Sequence, residues 1–160
     1  MWPVWLICGV LVAVIAVGLI FVFQQDRALR DDTPETKLLA GQDLRIALDH
    51  LVVGRLYLFS YPGDQGRRIR FVVKRTDDGA VHTNMASCQA CYRTEHPHHT
   101  HKGQMICGQC NEPMHRPDEN ELTAEQKQCA LIPLPHSIQG NEVVVSAQSI
   151  LGQSRAMEAQ

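Results

Sequence analysis

The sequence predicts a mainly β protein, with a small α+β arrangement as the variant, held by one N-terminal transmembrane helix and built round a metal site of the zinc-ribbon kind. Three observations predict it. Met1 to Phe23 carries no charged side chain, and short alternating segments separated by Gly and Pro turns run from Leu44 to Val145. Two Cys-x-x-Cys pairs, Cys88/Cys91 and Cys107/Cys110, stand fifteen residues apart. The chain then divides into an anchor over 1–24, a juxtamembrane linker over 25–42, a Cys-rich metal-binding domain over 43–152 and a tail over 153–160. Some 130 residues beyond the anchor suffice for one domain and not comfortably for two.

As a helix, the first 23 residues rise to about 34 Å, enough to cross a hydrocarbon core. Trp2 and Trp5 suit the interfacial belt. A cleaved signal peptide would need a basic start and a small-x-small site, and neither is present before Gln24, so an uncleaved single span is expected. Cys8 reads as a buried thiol within it. Arg27 and Arg30 follow the span and no Lys or Arg precedes it, which by the positive-inside rule favours a cytoplasmic domain.

Residues 24–36 are charged, contain Pro34 and read as a spacer. Leu44, Ile46 and Leu48 alternate with Arg45, Ala47 and Asp49, the period of a half-buried strand. Leu56 to Tyr61 is a second strand, turned by Pro62 to Gly66 into a third over 67–75, and the two pair as a hairpin. In that third strand Arg67, Arg68, Arg70, Lys74 and Arg75 alternate with Ile69, Phe71 and Val73, predicting a solvated face. The formal net charge of -2 gives no electrostatic case for nucleic acid. Asp77-Asp78-Gly79 turns the chain into a short strand, Ala80 to Thr83, that delivers it to Cys88. Glu142 to Val145 is the closing strand.

Paired thiols suit a tetrahedral ion, because each pair wraps one edge of the tetrahedron. Cys88, Cys91, Cys107 and Cys110 are therefore the expected metal ligands, and Cys129 is a fifth candidate. The spacing fits four-thiolate zinc, and thiolates equally hold iron–sulfur centres. Gly108 and Asn111 tolerate the backbone angles that turn amide N–H groups towards sulfur. A thioredoxin-type thiol pair would sit at a helix N-terminus in an α/β setting, which this segment lacks. Between the pairs, His96, His98, His99 and His101 form an exposed His-rich loop around Pro97, a candidate secondary metal-capture site. Met85 and Met105 are expected to pack beside the cysteines, and His50 and His136 to be structural or superficial. No nucleophile–base–orienter set is present, so no enzyme activity is expected.

The segment from Asp78 through Cys88-Gln89-Ala90-Cys91-Tyr92, then Met105-Ile106-Cys107-Gly108-Gln109-Cys110, Cys129 to Pro135 and Asn141 to Val145, resembles the FtrD-like membrane iron–sulfur proteins. The likeness covers roughly residues 43–152. It implies an iron–sulfur cluster or iron, with zinc as the alternative, in a redox or metal-handling accessory of an iron-uptake system. It further implies an iron permease and periplasmic iron- and copper-binding components as partners, and an extracytoplasmic domain on the inner membrane. Two features depart from the family pattern: relatives place the domain after several spans, and the stretch between the pairs is unusually rich in histidine. A zinc-ribbon interaction module and a thiol–disulfide oxidoreductase are the competing functions.

Overall fold

Strand-forming segments of the chain build three sheets in a computed structural model that describes residues 13–15, 17–18, 32–88, 90–92, 98–119 and 122–159. The chain separates into two units, residues 1–30 and 31–160. In the first, residues 13–15 and 17–18 are helical, and most of the expected anchor, with Cys8, lies outside the described residues. No helix among the described residues is long and apolar enough to cross a membrane.

The second unit is mainly β. Its strands are β1 (Glu35–Lys37), β2 (Leu44–Ala47), β3 (Leu56–Pro62), β4 (Arg68–Arg75), β5 (Val81–Cys88), β6 (His99–His101), β7 (Gln104–Ile106), β8 (Leu131–Pro133), β9 (Ser137–Gln139) and β10 (Glu142–Val145). Helices α1 (Ala124–Gln128) and α2 (Ala147–Glu158) complete it. The main sheet has the order β1-β3-β4-β5-β8, a second sheet is β2-β10-β9, and β6 and β7 form a hairpin. The expected β3–β4 hairpin is present, in antiparallel register from Leu56↔Lys74 to Pro62↔Arg68.

Period-two alternation gives the main sheet two buried faces with different tasks. Phe59, Tyr61, Ile69, Phe71, Val73 and Met85 point to one side, where they meet Leu51, Val143, Val145 and Ile150. Phe59 and Phe71 stack there with ring centroids 5.5 Å apart. Leu56, Leu58, Val72, Ala86 and Cys88 point to the other side and pack against Cys91, Met105, Cys107, Met114 and Leu131. The cysteines thus form a layer of their own on the sheet.

This second layer corrects the reading of β4 as a strand with one solvated face. Val72 is 1% exposed on that face, and Arg70 keeps only 22% of its side chain exposed. The linker expectation also changes near its end. β1 lies inside residues 25–42, yet it pairs in parallel with β3, and its Glu35 takes Arg68 at 2.9 Å, Arg70 at 3.0 Å and Ser60 at 2.8 Å. The first strand stops at Ala47, where a 3-10 turn over Leu48–His50 replaces the alternation. The strand expected over 80–83 instead runs to Cys88.

α2 is an element that alternation did not foretell. Ser146 caps it by accepting from the Ser149 N–H at 3.0 Å. Ile150, Ser154 and Met157 face inward, four and three residues apart, so the helix crosses position 152 and carries core residues into the stretch read as a tail. Met157, 5% exposed, belongs to the main core. Met157→Ala is expected to lower unfolding stability by about 2–5 kcal/mol. A chemical-denaturation midpoint unchanged from the parent protein would show that this end of the helix bears no load.

Candidate metal centre

Two backbone turns and the end of a short helix bring the thiols together. The first turn follows β5, whose pairing with β8 slips between Met85 and Cys88. Such irregularities re-aim a side chain, and Cys88 ends on the same side as Ala86. The chain then folds back at once, the N–H groups of Cys91 and Tyr92 donating to the Cys88 carbonyl at 3.3 and 3.0 Å. The Tyr92 hydroxyl meets Ser154 Oγ of α2 at 2.7 Å.

The second turn leaves the β6–β7 hairpin. Cys107 donates its N–H to the Glu112 carbonyl, and Asn111 donates to the Cys107 carbonyl, both at 2.9 Å. Asn111 takes a φ of 57°, the left-handed region that asparagine tolerates, whereas Gly108 does not. The N–H groups of Gln109 and Cys110 are thereby turned onto the Cys107 sulfur. The third contribution comes from α1. Thr123 caps it, accepting from the Gln126 N–H at 3.2 Å while the Gln126 side chain accepts from the Thr123 N–H at 2.9 Å. Cys129 lies at its C-terminal end, donating its N–H to Glu125 at 3.3 Å.

The donor atoms fall into two groups, each within 4.8 Å: Cys88, Cys91, His98 and Cys107, and then Cys107, Cys110 and Cys129. Cys107 belongs to both. Sγ of Cys91 lies 3.6 Å from that of Cys107, and Sγ of Cys110 lies 3.7 Å from that of Cys129. Two sulfurs on one tetrahedral ion with bonds of roughly 2.3 Å stand about 3.8 Å apart, so these spacings are those of shared coordination. All five of these cysteines are free thiols. The structure therefore sets Cys110 beside Cys129, and puts His98 with the first pair.

Burial raises the Cys91 thiol, and the neighbouring sulfurs of Cys88 and Cys107 add to it. Cys129 is pushed up to about 12, first by burial and then by Cys110. Cys107 moves the other way. Burial opposes its ionisation, but the N–H groups of Cys110 and Gln109 outweigh it and bring the thiol down to about 7. Cys107 is thus the position at which the backbone has prepared a negative charge.

The histidines do not behave as a single exposed loop. His98 and His99 are 6% and 5% exposed: β6, which begins at His99, pairs with β7 and is bonded through Thr100 to Asp32 and Thr33. Thr100 is fully buried, its Oγ1 accepting from the Thr33 N–H at 3.0 Å. His101 is exposed, 4.0 Å from Asp32. His96 lies outside the described residues. The His98 carbonyl accepts from Arg70 at 2.8 Å, so the chain Glu35–Arg70–His98 fixes the histidine's backbone over the sheet. His98 was legible only as one of four histidines. The finer signal is its place in Cys-x2-Cys-x6-His-x8-Cys, with apolar and β-branched neighbours following at Thr100 and Met105.

Met105 and Met114 pack against the cysteines, as Met85 does not, since it points into the main core. The two also line, with Leu131, a cleft of about 320 Å³ whose rim carries His82, His115 and Arg116. Arg116 contacts His82, and burial together with that charge holds the imidazole below its ordinary value.

Two outcomes follow from these groups. Burial would raise the Glu35 carboxyl, but Ser60, Arg70 and Arg68 outweigh it and hold it below the ordinary 4.5. Its contribution is then complete above that value and fades as pH falls through the lowered one. Glu35→Gln should cost about 1–3 kcal/mol at neutral pH, and the gap should close in urea titrations run at progressively lower pH below 4.5. A pH-independent gap would mean that charge is not the cause. In the metal-free protein, thiolate absorbance should show a step near pH 7 that Cys107→Ser removes.

The family model of the membrane iron–sulfur containing proteins described as FtrD-like matches residues 52–157. That match runs from just before β3 to the end of α2, and includes all five cysteines of the centre. No curated protein matches the chain. A match over this share of the sequence, carrying the thiols at the geometry just described, settles the relationship: the chain belongs to the FtrD-like family of membrane iron–sulfur containing proteins.

Proposed function

We propose that this chain is a membrane-anchored protein that holds iron, as an iron–sulfur cluster or as iron ions, on its cysteines and serves an iron-uptake system as a redox or metal-handling accessory. One observation carries the proposal: five free thiols and one imidazole from separate elements meet in two abutting groups, each small enough for a coordination sphere. Thiolates are the ligands of iron–sulfur clusters, and imidazole accompanies them in mixed sites, so the donor set fits the group that the family description names. When bound, such a group supplies one-electron chemistry.

The chain's own residues supply the rest. Cys88, Cys91, Cys107 and His98 hold the group, with Cys110 and Cys129 on its outer side. The N–H groups of Gln109 and Cys110 stabilise negative charge at Cys107. Met105, Met114 and Leu131 pack with the buried Cys88, Cys91 and Cys107 and line the neighbouring cleft. No substrate bond is made or broken in this reading. The apolar stretch over residues 1–24 supplies the membrane anchor, and the domain works on the extracytoplasmic side beside a permease and periplasmic iron- and copper-binding components.

A second reading follows from the 3.6 and 3.7 Å sulfur spacings, since zinc held by thiolates sets its sulfurs at the same separation. The centre would then be structural and the domain an interaction module. The protein purified anaerobically separates the two. Iron with visible charge-transfer absorbance is the expected result, acid-labile sulfide separating a cluster from iron ions, and a colourless protein with stoichiometric zinc would replace the first reading with the second. His98→Ala should bleach or shift that absorbance while His101→Ala leaves it unchanged. Equal effects of the two would remove His98 from the centre.

A further inference from the structure

The two donor groups meet at a single atom, and they differ in every respect that governs exchange. Cys88, Cys91, His98 and Cys107 offer four donors, all buried, which completes a tetrahedron. Among the described residues Cys107, Cys110 and Cys129 offer three, one donor short of a tetrahedron. Exposure rises outward, from Cys107 at 0% through the half-buried Cys129 to the exposed Cys110. Closed four-coordinate sites retain a metal, whereas sites with an open position admit another ligand.

The spacings argue for two ions. A four-iron cluster binds each thiolate to a different iron and spreads the sulfurs beyond one coordination sphere. Here Cys91 lies 3.6 Å from Cys107, and Cys110 lies 3.7 Å from Cys129, with Cys107 common to the two donor groups. A thiolate has lone pairs for two cations, and the Cys107 sulfur is the donor common to both groups.

We propose that the chain holds two metal ions bridged by the Cys107 thiolate: a resident ion enclosed by Cys88, Cys91, His98 and Cys107, and an exchangeable thiophilic cation on Cys107, Cys110 and Cys129. The inference rests on the metal-binding reading given above and deepens it. The outer ion is taken up as a soft or borderline cation, and thiol protons pass to solvent as the sulfurs bind. Its open fourth position accepts a donor from water or from a protein that brings or removes the metal. Transfer then proceeds by ligand replacement at the outer ion while the inner ion stays in place.

Cadmium alone is the probe, since it takes thiolate and imidazole donors and can be followed by NMR. The full chain in detergent, stripped of metal and kept anaerobic, should bind two cadmium ions. It should give two resonances, each split by the other through the common sulfur. Cys129→Ser should bind one ion and give one unsplit resonance, and Cys110→Ser, altered at an exposed position, should do the same. A small chelator should strip the outer ion at least tenfold faster than the inner one. Saturation at one ion, two resonances without mutual splitting, or two ions retained in both serine variants would overturn the bridge while leaving a metal protein. A chain that takes up no cadmium would fail both this inference and the metal-binding reading beneath it.

Discussion

An anion in an apolar interior must be met by positive charge or by hydrogen-bond donors, and the architecture of this domain follows from satisfying that demand at Cys107. The residue is completely enclosed, yet its thiol is brought down to about 7. Backbone donors from the turn that follows it provide part of the compensation, and a cation held by the proposed centre would provide the rest. Asn111 in its left-handed conformation makes the turn tight enough for those donors to reach the sulfur. The other thiols are set in the opposite sense. Burial and the neighbouring sulfurs make Cys91 and Cys129 resist ionisation, so metal binding there would release their protons.

That arrangement needs a wall against which loops can be held, and the main sheet is the wall. Its β3, β4 and β5 strands have no solvated face, since one side is committed to Phe59, Phe71 and the residues of α2 and β10, and the other to the cysteine layer. The arginines of β4 are consequently drawn into structure. Arg70 bridges Glu35 on the first strand and the carbonyl of His98, linking the entry of the domain to one of its donors.

Spacing made the thiols legible, because two tight pairs have few other uses, and the β3–β4 hairpin was legible from alternation and a Pro-Gly turn. What spacing could not give was the partition of the donors. Whether Cys110 sides with Cys88 or with Cys129 depends on which way a five-residue helix delivers Cys129, and that is a tertiary fact. His98 was one of four similar residues, and only pairing of the next three residues with β7 buries it and leaves His101 outside. Helix α2 escaped detection because its inward stripe is Ile150, Ser154 and Met157, with a serine at the middle position. The same serine explains why a polar residue is there: it meets the Tyr92 hydroxyl.

That contact ties the first cysteine turn to the main core. Tyr92 follows directly on Cys91 and packs against that core, and its 2.7 Å hydrogen bond reaches Ser154 on the helix that closes it. Any rearrangement of the first cysteine turn therefore pulls on a fastening of the carboxyl-terminal helix. The turn that carries Cys88 and Cys91 and the helix that carries Met157 into the core thus share one fastening, and neither shifts without straining it.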